Sequence, residues 1–447
     1  MTRKVVLKLC IALVLLSSLT QALGQQSNSQ SLFLIWDERG KYGFIDGTGR
    51  VRIKPQFDGA LPFTEGLAAV SLDKKWGFID SNGKVVVPLS YYAVSHFSDG
   101  VAAVTIKDGN SLPCGYIDHS GQYVIKPQNK FPCRDFNEGF ALVGVYDETA
   151  GEDFDGYMDK EGKLAIGGQY VRADPFSEGL AMVIDWEKTF FINSRGETVI
   201  DLKGYAGRDT FSDEYEPVGS FNEGLAEVGI KIVSRYGYSR FGFVNKQGKV
   251  VFELPEKIRA MGPFQDGRAL IFEEKTERVR YRLGKEVIEQ GVDVSAYGYI
   301  DKTGRVVIST RFSHAENFSD ELAVVKTGKP QPSDSRDVRG SAAESYFDDD
   351  DGSWVCINRA GQIVIKKCGE PLAREELAER FSEFGKGFGK GFVNGLFFNK
   401  VSVGGNVAGQ ERKTVYGYMN KSGKYVWIQP YGEGVVQPKW LRNSYRD

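Results

Sequence analysis

The side chains in this chain that could do chemistry are few and scattered. Only three histidines occur, His96, His119 and His314. They fall near turns in different stretches, with no His-x-x-x-His spacing that would bring two imidazoles to one metal, and they read as solvated loop residues. Acids recur as Glu65, Asp99, Glu138, Glu178, Glu223 and Asp266, each followed by Gly. Glycoside hydrolysis uses paired carboxylates, but the pair must stand about 5–10 Å apart in one cleft. One equivalent acid per repeat instead reads as a set of turn or backbone caps. Two acidic stretches, Glu152-Asp153-Phe154-Asp155-Gly156 and Asp348-Asp349-Asp350-Asp351-Gly352, end in Gly as calcium loops do. An EF-hand-like loop needs an oxygen ligand at its first position. That position would be Gly151 or Phe347, so solvated acidic loops are the better reading. The run Gly385-Lys386-Gly387-Phe388-Gly389-Lys390-Gly391 lacks the hydroxyl residue of a phosphate loop and reads as a linker. No Gly-x-Ser-x-Gly elbow is present. The sequence therefore assigns no catalytic residue, no cofactor and no metal ligand, and it predicts a protein that is not an enzyme.

The elements that must position these residues come from an internal repeat. Lys75-Trp76-Gly77-Phe78-Ile79-Asp80-Ser81-Asn82-Gly83 returns as Tyr42-Gly43-Phe44-Ile45-Asp46, Gly115-Tyr116-Ile117-Asp118, Gly156-Tyr157-Met158-Asp159 and Gly298-Tyr299-Ile300-Asp301, among others. In every copy a Gly stands three residues after the Asp or Asn, as at Gly49, Gly83, Gly121 and Gly304. An Asx side chain can bond the backbone two residues on, and Gly takes positive φ at no steric cost. Together they predict a type I turn with a G1 bulge. Between the copies runs a second motif, Phe-x-acid-Gly-Leu-Ala, as in Phe63-Thr64-Glu65-Gly66-Leu67-Ala68 and Phe176-Ser177-Glu178-Gly179-Leu180-Ala181. Each unit reads as three strands: Leu67 to Val70, Lys75 to Asp80 with Trp76 and Phe78 on one face and Ile79 on the other, and Lys84 to Val87, stopped by Pro88.

The pattern Trp76-Gly77-Phe78-Ile79-Asp80 with Gly83, together with the Phe-x-Glu-Gly-Leu-Ala stretches, resembles the bacterial WG (Trp-Gly) β-repeat family. The resemblance runs roughly from Leu32 to Trp427. It implies an all-β fold and leaves the molecular role open. Trp76, Gly77, Phe78, Ile79, Asp80 and Gly83 are then structural residues of the repeat core. A three-stranded meander of this size is marginal alone and must stack on its neighbours. An open β-solenoid is the expected arrangement, with propeller-like closure as its alternative. The aromatics Tyr42, Trp76, Phe241, Tyr297, Trp354 and Tyr416 hold equivalent places. They could stack on sugars, but filling seams between units is the favoured reading.

The expected organisation is a signal peptide over 1–24, a short linker over 25–31, a repeat array of about nine copies over 32–428 and a tail over 429–447. Arg3, Lys4 and Lys8 precede the short apolar run Leu9 to Leu19, and Ala22-Leu23-Gly24 offers small residues for cleavage before Gln25. A secreted or periplasmic location follows, with no membrane span after cleavage. A helix is predicted only over Ala373 to Phe381. Net charge is −2, with no basic patch to suggest nucleic acid. Beyond the leader Cys114, Cys133, Cys356 and Cys368 remain. In an exported chain an even number suggests disulfides within units, Cys114–Cys133 and Cys356–Cys368, against the alternative of four reduced buried thiols. Length varies mainly between the first and second strands, over Phe272 to Ala296 and Lys326 to Gly352, the expected partner-contacting edge. The expected role is a secreted non-catalytic scaffold presenting a surface to an unknown protein or glycan of the cell envelope. A ligand-free spacer or assembly element is the alternative, and an envelope hydrolase stands third.

Overall fold

The computed structural model describes residues 31–128, 133–148, 151–186, 188–202, 214–231, 240–283, 286–329, 331–332, 352–371, 392–403 and 413–429. In the first two repeats β1 (Leu32–Trp36), β2 (Tyr42–Asp46) and β3 (Val51–Phe57) form one antiparallel sheet. A second is built from β4 (Gly59–Ala60), β5 (Leu67–Leu72), β6 (Lys75–Asp80) and β7 (Val85–Tyr91). Among the described residues the strands make nine such sheets, most of four strands. The expected three-stranded unit gains a fourth strand. The two-residue β4 is too short to show a period in sequence, yet Gly59 and Ala60 pair with Ser71 and Val70.

Burial explains the strand order. β5 is buried from Leu67 to Ser71, and in β6 both Phe78 and Ile79 are 0% exposed. Both faces of β6 are therefore covered, whereas a half-exposed strand would show one. β7 turns only Val87 and Tyr91 inward and exposes Val85 and Val86, as an edge strand does. Pro88 lies inside β7 and does not end it, because the outer side of an edge strand has no ladder partner to lose. Trp76 pairs with Tyr91 but Phe78 with Val87. This break in register presses the β7 backbone onto Gly77, where a Cβ would stand 2.5 Å from the Val87 carbonyl oxygen.

Successive repeats are joined by aromatic pairs. The residue after the core Gly place, a place held by Phe190 in one repeat, meets the motif Phe of the following repeat: Phe44 on Phe63 with ring centroids 4.8 Å apart, Tyr157 on Phe176 at 4.8 Å, Phe191 on Phe221 at 4.8 Å, Phe243 on Phe264 at 5.0 Å. Each pair is worth about 0.5–1.5 kcal/mol beyond its buried area. Where the core residue is Tyr, its hydroxyl reaches the connector ahead of that Phe. Tyr116 donates to Arg134 O (2.7 Å), Tyr157 to Asp174 O (2.8 Å) and Tyr299 to Glu316 O (2.6 Å).

The chain divides into two compact units, one of Met1–His96, Ala373–Gly389 and Val393–Asp447, the other of Phe97–Leu372 and Lys390–Phe392. Within the first, the strands at opposite ends of the chain meet. Tyr418 OH donates to Leu34 O (2.9 Å), Phe33 packs on the Tyr418 ring at 5.5 Å and Trp36 on Trp427 at 5.5 Å. In an open β-solenoid the first and last repeats are its two ends and have no contact. The expected solenoid is therefore corrected to the propeller-like closure named as its alternative, with the small sheets as blades. A second correction concerns Phe272 to Ala296, expected to be a loop. These residues lie in a long hairpin, Ala269–Leu283 with Glu286–Ile300, in unbroken register from Ala269 with Ile300 to Leu283 with Glu286. The predicted helix over Ala373 to Phe381 lies outside the described residues. No helix among the described residues is long and apolar enough to cross a membrane.

Candidate functional site

The recurring acids are the natural place to look for a site, and local geometry explains their form. In each Phe-x-acid-Gly turn both the acid and the Gly have positive φ, as for Glu65 (48°) and Gly66 (86°) or Glu178 (56°) and Gly179 (85°). Thr64 and Leu67 exchange both backbone hydrogen bonds at 3.0 Å across them. This is a two-residue hairpin turn of the primed type, which matches the twist of the flanking strands. The turn leaves the Gly N–H pointing outward, and the preceding repeat supplies its acceptor. Gly179 N–H donates to Glu138 Oε2 at 2.7 Å, Gly224 N–H to Glu178 Oε2 at 2.9 Å, and Gly267 N–H to Glu223 Oε2 at 3.0 Å. Gly139 N–H is capped by Asp99, and Asp266 takes the Glu321 N–H at 2.8 Å where the Gly is missing.

A cation completes most of these caps. It comes from the position after the core Asp or Asn of the following repeat. Lys160 lies 3.3 Å from Asp99, Lys246 3.1 Å from Glu178, Lys302 3.0 Å from Glu223 and Arg359 3.2 Å from Asp266. Burial pushes the Glu178 carboxyl up, but Lys246 and the Gly224 N–H outweigh it and hold the group below its ordinary value. The acids thus form a ladder of ion-paired backbone caps between neighbouring sheets. They do not converge into carboxylate pairs.

The ladder is interrupted beside Gly66. There a cavity of about 570 Å³ is lined by Ser31, Arg52, Gly66, Ser81, Asn82 and Asn394, with Leu32 and Phe63 as its apolar walls. Asn394 stands at the acid place of its own turn, with the same positive φ of 50°. Ser81 stands where other repeats carry the cation. Arg52 is 49% exposed, and its one ion-pair neighbour among the described residues is Asp46, 4.0 Å away. Asp46 Oδ1 already accepts the Thr48 N–H and hydroxyl and the Arg50 N–H.

The repeat-core residues stand as structural elements. Gly83 N–H donates to Asp80 O (2.9 Å), and Asp80 Oδ1 accepts the Asn82 and Lys84 N–H groups, both at 2.9 Å. Those two donors, Lys84 foremost, hold the Asp80 carboxyl below its ordinary value. With Gly83 at φ 81° and the register slip after Ile79, the turn has the bulged geometry its sequence predicts. Trp76 is half-buried, its ring against Gly59. Of the other equivalent aromatics Tyr416 is buried and Tyr42, Phe241, Tyr297 and Trp354 are half-buried. Tyr297 and Trp354 flank His314 at 5.6 and 5.4 Å, which is seam packing. His119 stacks on Phe97 at 4.4 Å. Among the described residues no three His, Cys, Asp or Glu side chains stand together as a metal site. The acidic stretch from Glu152 is strand, where Asp155 Oδ2 accepts the Ala173 N–H (2.9 Å). The stretches 348–351 and 385–391 lie outside the described residues. Cys114 stands beside Cys133 (Cα–Cα 6.1 Å) and Cys356 beside Cys368 (5.5 Å), each pair within disulfide reach.

Sequence reasoning passed over Glu227. It occupies the third place of its strand, where other repeats hold Leu34, Ala69, Leu142, Met182, Leu270 and Val324. Burial pushes its carboxyl up to about 7. The signal was available as one acid in an otherwise apolar column.

The family described as a WG containing repeat matches residues 42–76, 76–110, 115–147, 156–184, 241–275 and 297–329. No curated protein matches the chain. Among solved structures, a eukaryotic initiation factor is similar at 12% identity and a TM-score of 0.37, over 75% of this chain and 95% of its own. The quinohemoprotein alcohol dehydrogenase of Comamonas testosteroni is similar at 11% identity and 0.28, over 92% and 70%. A quinonprotein alcohol dehydrogenase-like protein of Bacteroides thetaiotaomicron follows at 10% and 0.24, over 62% and 74%. At these scores and identities none assigns a function to the chain.

Proposed function

Because the chain belongs to the WG repeat-containing proteins, we propose that it is an exported, non-catalytic scaffold that presents a binding surface to a protein or glycan of the cell envelope. One observation carries the reading. The connection between the two central strands of a sheet is only Asp73-Lys74 between β5 and β6, yet the equivalent connection grows into the 15-residue strands Ala269–Leu283 and Glu286–Ile300 elsewhere. The framework is uniform and its acids are engaged in capping, so variation is concentrated where a repeat array can change partner without changing its core. Export rests on the basic, apolar and small-residue order of residues 3–24. The absence of catalysis is supported by the structural use of the acids, which cap backbone N–H groups and pair with Lys and Arg.

The test is retention of envelope fractions by the immobilised full-length mature chain. Saturable retention of one protein or glycan, weakened about tenfold when residues 277–292 are replaced by a two-residue Asn-Gly turn, supports the scaffold. Lack of any saturable retention overturns it in favour of a spacer. Turnover of an envelope glycan by the purified chain overturns it in favour of a hydrolase.

A further inference from the structure

The cavity beside Gly66 lies in the unit that lacks the long hairpin, and it carries an inference independent of the scaffold reading. In the second unit the chain shows what its acid-Gly turns need. A carboxylate approaches the outward N–H of the turn, and a cation grips that carboxylate from the side, as at Gly224, Glu178 and Lys246. The Gly66 turn has the same backbone, with Glu65 and Gly66 at φ 48° and 86°. Its N–H has no acceptor among the described residues. Neither of the acid places that would serve this region carries an acid. One is Asn394, which lines the cavity, and the other falls by repeat spacing at Gln30, outside the described residues.

The charge of the cavity is complementary to the missing group. Among the described residues Arg52 is the one charged group in its lining, and no acid lines it. Asp46 stands only within 4.0 Å of that guanidinium and is engaged with its own turn. Ser81 and Asn82 add a hydroxyl and a carboxamide on the side where the cation stands in other repeats. A volume of about 570 Å³ is enough for a small organic ligand. We infer that this cavity binds a carboxylate-bearing ligand, with the carboxylate on the Gly66 N–H and the Arg52 guanidinium, in the place that a glutamate or aspartate of the preceding repeat fills elsewhere in the chain. A guanidinium and an outward backbone N–H are the donors a carboxylate accepts best.

The test uses the full mature chain labelled with ¹⁵N-glycine, with the Gly66 amide resonance as reporter. Sodium glutarate is the free-carboxylate probe, N-acetylglutamate α-amide the peptide-like one and glutaramide the neutral control. The Gly66 amide should move saturably with either acid below about 50 mM and stay still with glutaramide. A stronger response to the acetylated amide identifies an acidic peptide as the source, and a stronger response to glutarate a free acid. Arg52→Gln should weaken binding about tenfold. Asn394→Asp retains a residue type that adopts this turn at Asp99, so it tests the site without threatening the fold. By placing a fixed negative charge in the cavity it should also weaken binding about tenfold. A Gly66 amide that ignores both acids, that responds equally to glutaramide, or that responds unchanged in both variants overturns the assignment.

Discussion

Replacing Glu227 by Gln should make the protein more stable at neutral pH and remove part of its pH dependence. The side chain is half-buried, with apolar residues at the equivalent place in other repeats, and burial raises its carboxyl from its ordinary 4.5 to about 7. An unfolded chain ionises this group from about 4.5, while the folded chain keeps it protonated until about 7. Between those values the folded state binds more protons than the unfolded state, so stability falls as pH rises, and the loss is complete above about 7. The gap corresponds to about 3 kcal/mol. Denaturant unfolding of wild type and Glu227→Gln at pH 5 and pH 8, roughly the two ends of that window, would measure it. The variant should match wild type within about 1 kcal/mol at the lower pH and exceed it by about 2–3 kcal/mol at the higher. Glu227→Leu, which restores the residue type of Leu142 and Leu270, should exceed it by at least as much. Parallel stability profiles for wild type and Glu227→Gln would refute the reasoning, as would a Glu227 carboxyl carbon that titrates near its ordinary value in NMR.

Other outcomes follow from the same contacts. Tyr157→Phe and Tyr299→Phe should each cost about 1 kcal/mol in denaturant unfolding, because the Asp174 and Glu316 carbonyls lose their donor. Glu178→Gln should destabilise by about 1 kcal/mol at neutral pH by weakening the link to Lys246 and Gly224. Because the folded-state carboxyl of Glu178 lies below its ordinary value, that difference should vanish as pH falls through its folded-state titration. Peptide mapping of the exported protein without reduction should recover Cys114 joined to Cys133 and Cys356 joined to Cys368, and removing either link should cost about 2–4 kcal/mol. N-terminal sequencing of the exported chain should begin at Gln25.

The sequence by itself determined what is local. The Asp80 to Gly83 turn, the strands on either side of it and the buried places of Phe78 and Ile79 were legible because they depend on backbone φ, on Asx hydrogen bonds within four residues and on apolar patterning. The unpatterned Gly59–Ala60 strand was not legible, nor was the hairpin spanning Phe272 to Ala296, whose polar side chains look like a loop until the two strands pair. Tertiary structure decided everything that depends on how one repeat sits against the next. That includes the contact of Tyr418 with Leu34 across 384 residues, which replaces an open solenoid by closure. The unit sequence is compatible with either arrangement, because a small rotation between neighbouring sheets separates them. It also includes the role of the acids, whose backbone N–H partners lie 40 to 55 residues away. Their recurrence was visible in sequence, but only the packed sheets show that Asp99, Glu138, Glu178, Glu223 and Asp266 each cap a turn of the following repeat.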